Sequence, residues 1–191
     1  MFLLKKKYYL FIENTRDFDL NLIKKRNKFN IIYRNQKIKE KETDIKYFRN
    51  NCKKKGILFY VANNIQLLIK LKADGLYISS HNRNLLLNCF SKLGFITIGS
   101  AHNYKEIEVK KKQGCTDIIY SRLFETSYEN KKGHLGLLKF NALVRKTSVK
   151  LIPLGGIKAE NMMKMNIVKC NSFACLSAVK KKPAKIINRL F

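Results

Sequence analysis

Val149-Lys150-Leu151-Ile152-Pro153-Leu154-Gly155-Gly156-Ile157, followed by Ser172-Phe173-Ala174-Cys175-Leu176-Ser177-Ala178-Val179, is the stretch that decides the fold. Each half is a short apolar run that ends in small residues and enters a helix-like segment. Gly155 and Gly156 let a ligand approach bare backbone, and a following helix presents free N–H groups and a positive dipole end. Parallel α/β barrels commonly hold a phosphate this way, on the loops after strands seven and eight. A tight turn with no ligand explains a lone Gly-Gly equally well. The reading therefore depends on whether six strand–helix units precede it.

Apolar runs and turn punctuation supply six. Strands are predicted at Tyr8 to Ile12, Phe29 to Tyr33, Ile57 to Val61, Gly75 to Ser79, Phe95 to Ile98 and Asp117 to Tyr120. Helices are predicted near Asp19 to Asn27, Thr43 to Lys55, Ile65 to Lys72, Arg83 to Leu93, Tyr104 to Gln113 and Leu135 to Lys146. Two more, near Glu160 to Val168 and Pro183 to Leu190, follow strands seven and eight. The strands are continuous, β-branched runs, as a parallel sheet covered on both faces requires. Eight alternations predict an α/β fold, a closed (β/α)8 TIM barrel forming a single domain over residues 1–191.

Composition bounds the function. The chain has 191 residues, 46% of them hydrophobic, and a net charge of +27 from 40 basic and 13 acidic residues. The lysines are spread over nearly every predicted helix, including Lys53 to Lys55, Lys110 to Lys112 and Lys180 to Lys182. Dispersed lysine reads as solvated helix faces, whereas a nucleic-acid site concentrates arginine and aromatics on one surface. No specific nucleic-acid partner is expected. A lysine-rich surface still steers phosphorylated metabolites. The opening Met1 to Lys7 is apolar and then charged, the reverse of a secretory signal. No run reaches the roughly 20 apolar residues of a membrane span. A cytoplasmic protein without membrane contact is expected, of undetermined oligomeric state. The five cysteines show no metal-type spacing, and Cys170 and Cys175 read as small buried thiols.

Chemistry in such a barrel sits where strands end. That rim carries Arg34, Asn35, Gln36 and Lys37 after strand two, Asn63 and Asn64 after strand three, and His81 and Asn82 after strand four. Ser100 and His102 follow strand five, and Arg122 to Thr126 follow strand six. Amides, hydroxyls and arginines dominate, and carboxylates are few. Arg34 suits bidentate phosphate contact, while Ser100 and His102 suit an anion or a leaving group. A single rim Asn or Ser is equally a helix cap. His81 and His134 read as ordinary loop residues.

The order of these motifs resembles the thiamine phosphate synthase/TenI family. The matching segments are Ile32-Tyr33-Arg34-Asn35-Gln36, Ala62-Asn63, Ala73-Asp74-Gly75-Leu76-Tyr77 through His81-Asn82, and Ser100-Ala101-His102-Asn103. Phe124-Glu125-Thr126, Gly155-Gly156-Ile157 through Asn161, and Ser177-Ala178-Val179 complete the series. The resemblance implies that a hydroxymethylpyrimidine pyrophosphate is joined to a thiazole phosphate with release of pyrophosphate. It implies Arg34, Ser100, His102 and Arg122 as the catalytic group. It puts Thr126, Gly155, Gly156, Ser177 and Ala178 on the thiazole phosphate, and Gln36, Asn63 and Asn82 on the pyrimidine pyrophosphate side. Asn63 and Asn82 stand where the family has its two Mg²⁺-binding aspartates, so any Mg²⁺ would arrive on the substrate pyrophosphate rather than through protein ligands. Gln36 stands at the strand-two lysine. Arg122 stands where the TenI branch has a histidine, and either takes a catalytic task or neutralises an anion. A coupling transferase, a TenI-like thiazole tautomerase and an inactive thiazole-phosphate binder are all compatible with these departures.

Overall fold

The computed structural model describes residues 7–23, 28–35, 40–126 and 133–175. Eight strands close into a barrel in chain order: β1 (Lys7–Ile12), β2 (Phe29–Tyr33), β3 (Leu58–Ala62), β4 (Gly75–Ile78), β5 (Ile96–Ala101), β6 (Asp117–Ser121), β7 (Lys150–Leu154) and β8 (Ser172–Cys175). All neighbours pair in parallel, and β1 closes the ring on β8 with Tyr8 opposite Phe173 and Tyr9 opposite Ala174. Parallel neighbours need crossovers. These carry α1 (Glu42–Lys54), α2 (Ile65–Leu71), α3 (Asn88–Lys92), α4 (Tyr104–Lys112) and α5 (Leu137–Lys146).

Alternation along each strand separates two apolar layers. Phe11, Ile32, Tyr60, Tyr77, Ile98, Ile119 and Ile152 fill the barrel interior. The intervening residues, among them Ile31, Phe59, Leu76, Ile118 and Phe173, pack outward with Leu68, Ile107 and Phe140 of the helices. The strands read as unbroken apolar runs for this reason. Each fully buried isoleucine contributes roughly 1.5–3 kcal/mol of apolar burial. Gly75 faces Tyr60 in register, and a Cβ there would lie 2.2 Å from the Ile96 carbonyl and 2.8 Å from the tyrosine ring. The missing side chain is the space the ring occupies.

Three predicted helices differ in the structure. Within Asp19 to Asn27, Asp19 caps a single 3-10 turn, Leu20–Leu22, by accepting from the Asn21 amide; 24–27 lie outside the described residues. Arg83 to Leu93 divides because Asn84 caps a separate 3-10 turn, Leu85–Leu87, ahead of α3. The segment after β7 is a 3-10 helix, Ala159–Asn166, rather than an α-helix. There the Asn161 side chain reaches back, accepting from the Lys158 amide at 2.8 Å and donating to the Gly156 carbonyl at 2.7 Å. The Lys158 N–H is thereby satisfied in a capping box, and the segment behind Gly155-Gly156 starts with 3-10 rather than α-helical turns. The predicted helix Pro183 to Leu190 lies outside the described residues. Among the described residues no helix is long and apolar enough to cross a membrane.

Lysine is also not uniformly on solvated faces. Lys110 of α4 is fully buried over Gly99 of β5. Burial lowers its ammonium from 10.5 to about 8. Between those values the unfolded chain holds a proton that the folded chain does not, so this group's contribution to stability rises as pH climbs from about 8 to 10.5 and is lost as pH falls through 8. Wild type therefore gains on Lys110→Met by roughly 10 °C in Tm across that interval, measured by thermal denaturation at pH 7.5 and 10.5; parallel curves would contradict the assignment.

Candidate functional site

The carboxyl ends of the strands gather most of the sequence-selected residues. Arg34 follows β2, its amide donating to the Ile12 carbonyl at 2.8 Å, which ties the first two strand ends together. The side chain is half-buried, and its Nε has no hydrogen-bond partner among the described residues. Its charge acts on Tyr77, whose hydroxyl is raised by burial and drawn partly back by a hydrogen bond with Ser100 and by Arg34. Arg34, Tyr77 and Ser100 thus form one group at the top of the barrel interior, with Ser100 itself buried. A buried guanidinium N–H without an acceptor is costly, and an anionic oxygen would satisfy it. Nearby, Glu40 accepts from the Tyr33 hydroxyl at 2.8 Å and from the Thr15 amide at 3.0 Å, linking the first two rim loops.

Asn63 and Asn82 meet directly. Asn82 Nδ2 donates to Asn63 Oδ1 at 3.3 Å, the Ser79 amide donates to the same oxygen at 3.1 Å, and Asn63 Nδ2 donates to Ser79 Oγ at 3.0 Å. Asn82 Oδ1 accepts from the Asn84 amide at 3.0 Å. Asn63 adopts a left-handed φ of 54°, which asparagine tolerates better than most side chains. Its amide donates to the Tyr77 carbonyl at 2.9 Å. The two positions that resemblance assigns to magnesium ligands are therefore neighbours, but their donor set does not fit the ion. Both groups are neutral, and both oxygens already accept from N–H groups, whereas Mg²⁺ takes hard, usually anionic oxygens. Among the described residues no cluster of three His, Cys, Asp or Glu is placed to hold a metal.

On the opposite side, Arg122 Nη1 donates to Thr126 Oγ1 at 3.1 Å. The Leu123 and Phe124 amides donate to the Leu154 and Gly155 carbonyls at 2.9 and 3.1 Å. Gly155 and Gly156 have φ of 99° and 67°. A Cβ on Gly156 would lie 2.3 Å from the Glu125 carbonyl oxygen. The glycine pair is thus required by close approach of the loop after β6, a reason independent of any ligand. Arg122, Thr126, Gly155 and Gly156 are brought together; Gln36, Ser177 and Ala178 lie outside the described residues.

His102 sits between these groups. Burial alone would raise Glu106, yet hydrogen bonds from the His102 amide, the His102 ring and Asn103 bring it below its ordinary value. Glu106 Oε2 lies 3.2 Å from His102 Nδ1, which favours the proton on that nitrogen and leaves Nε2 as acceptor. The Tyr120 hydroxyl donates to the His102 carbonyl at 2.8 Å. His102, Tyr120, Arg122 and His134 line a cavity of about 500 Å³. Sequence reading placed His134 as an ordinary loop residue. No local motif marks it, and only the return of the chain, with the Leu135 amide donating to the Arg122 carbonyl at 2.9 Å, brings it to this cavity. Tyr77 was likewise visible only as part of a strand.

If neutral amides define the mouth, Mg²⁺ leaves the Tm of wild type unchanged. Asn63→Asp with Asn82→Asp puts two carboxylates in contact, which costs about 2 kcal/mol in metal-free buffer and makes Tm rise with added Mg²⁺. Calorimetric scans with EDTA and with millimolar Mg²⁺ check both. Equal responses of the two proteins would contradict the fit argument.

A family model described as thiamine monophosphate synthase matches residues 15–179. A thiamine-phosphate synthase of Prochlorococcus marinus (strain AS9601) is 27% identical over 135 residues, covering 69% of this chain and 37% of that protein. Those of Methanocella arvoryzae and Clostridium perfringens are 25% and 28% identical, each over 151 residues, covering 74% and 76% of this chain and 71% of each relative. The chain thus spans well under half of the cyanobacterial relative and about seven-tenths of the other two. The thiamine phosphate pyrophosphorylase structure from Pyrococcus furiosus superposes with a TM-score of 0.72 at 18% identity, over 97% of this chain and 93% of that one. A 3-keto-L-gulonate-6-phosphate decarboxylase from Vibrio cholerae gives 0.65 at 12% identity, over 97% and 95%. At those identities the superpositions speak to the fold alone.

Proposed function

The chain belongs to the thiamine monophosphate synthase family, and from that premise we propose that its barrel mouth takes a pyrimidine pyrophosphate and a thiazole phosphate and couples them to thiamine phosphate. The observation that carries this reading is Arg34, whose buried Nε lacks an acceptor among the described residues, beside Ser100 and Tyr77. A pyrophosphate oxygen is the natural occupant. In a dissociative displacement, charge grows on the leaving pyrophosphate as the pyrimidine methylene carbon becomes cationic, and the thiazole nitrogen then forms the new C–N bond. Arg34 and the Ser100 hydroxyl would bind the leaving group where that charge develops. Arg122, Thr126 and the Gly155-Gly156 turn would hold the thiazole phosphate on the other side, fixing the distance between nitrogen and carbon. His102, oriented by Glu106, would line the space between them. No step is routed through a metal held by Asn63 and Asn82.

The amide pair also favours a second reading, a protein that binds thiazole phosphate without coupling it. Turnover separates the two. Purified protein incubated with both substrates, with and without Mg²⁺, is expected to release thiamine phosphate and pyrophosphate, and Arg34→Ala is expected to lower kcat by about 100-fold. Thiazole phosphate that binds but is never consumed would replace the coupling reading with the binding one.

A further inference from the structure

The least expected residue in the fold is Lys110. Its side chain has no exposed surface, although it lies on α4 among lysines that face solvent. Room for it is made on β5: a Cβ at Gly99 would lie 2.9 Å from Lys110 Cγ and Cδ. The ammonium does not reach a carboxylate among the described residues. Instead Nζ donates to the Asn82 carbonyl at 2.6 Å and to Gln113 Oε1 at 2.8 Å. Gln113, fully buried one turn on, donates from Nε2 to the carbonyls of Asn82 and Asn84 at 3.1 and 2.9 Å. Two side chains of one helix thus hold the backbone of the loop after β4 from behind. An aliphatic residue would fill the same space without burying a charge, so packing does not account for lysine here.

We infer that Lys110 is a positioning residue, its ammonium fixing the loop after β4 so that Asn82 meets Asn63 at the neighbouring strand end. The geometry supports this on both sides of the loop. The carbonyl of Asn82 is held by Lys110 and Gln113, while its side chain donates to Asn63 and accepts from the Asn84 amide. Because α4 begins directly after Ser100 and His102, the same helix that follows the β5 rim also anchors the β4 rim. Two loops that carry site residues are thereby locked to one element. The charged and titratable groups that act on the ammonium are Glu106 on α4, Cys115 just beyond it, and Arg83 in the loop itself. This positioning holds whichever phosphorylated compound the mouth accepts, and its test needs no ligand.

Residue-resolved amide hydrogen exchange on the full chain reads it directly. Lys110→Met keeps the aliphatic stem and removes the charge. The variant is expected to speed exchange of the Ser79 and Asn84 amides, which donate to the side chains of Asn63 and Asn82, by about tenfold. Amides of β6 and β7 should keep their wild-type rates. Unchanged rates at Ser79 and Asn84 would overturn the inference. So would an equal acceleration throughout the barrel. Gln113→Leu, which spares the ammonium, should loosen Asn84 more than Ser79; the reverse order would also count against it.

Discussion

The hydrogen bonds joining Asn63, Ser79 and Asn82 decide what this barrel can hold at its mouth. Two carboxylates at these positions would repel at contact distance and call for a cation between them. At about 4 Å and an effective dielectric near 20 that repulsion is roughly 4 kcal/mol before solvent screening. Two amides need no such ion, because each supplies both a donor and an acceptor. The β3 and β4 ends are closed on one another by neutral groups, and the charge available to an anionic ligand comes from fixed side chains.

Those side chains lie on either side of the pair. Arg34 brings to Tyr77 and Ser100 a guanidinium whose Nε–H has no acceptor among the described residues. Arg122 reaches Thr126 beside the Gly155-Gly156 turn, and His102 with its Glu106 partner borders the cavity shared with His134. Behind Asn82 stands the buried ammonium of Lys110. A mouth with cationic groups and amides, under a net charge of +27, suits the proposed phosphorylated ligands electrostatically. The chain belongs to the thiamine monophosphate synthase family, and the substrates proposed for it, a pyrimidine pyrophosphate and a thiazole phosphate, are anions of the kind such a mouth would take.

Much of the barrel was legible because burial on both faces writes itself as uninterrupted apolar runs. Phe29 to Tyr33 is a strand at the residues expected, and α1, α2 and α4 start within one residue of their expected positions. Helix type was not legible where short turns intervene: Asp19 and Asn84 each accept from the amide two residues on at the start of a 3-10 turn, and Asn161 closes a capping box ahead of a 3-10 segment, local hydrogen bonds that periodicity does not register. Arg34, Ser100 and His102 could be found because strand ends are where such folds place chemistry. Lys110 could not. One of three consecutive lysines looks solvent-facing in sequence, and its burial follows only from the gap over Gly99 and from the carbonyls that the β4 loop turns toward it. The glycine pair was legible as a special turn, but the Glu125 carbonyl pressed against Gly156, a steric reason for glycine there, was not.

In the proposed anion site, fixed protein charges and neutral amides would take the place of a protein-bound divalent cation. The affinity for inorganic pyrophosphate in EDTA, compared with that in excess Mg²⁺ by titration calorimetry, tests it most directly. The account predicts binding in EDTA that Arg34→Ala weakens at least tenfold. Binding that appears only when Mg²⁺ is added, and ignores Arg34, would contradict it.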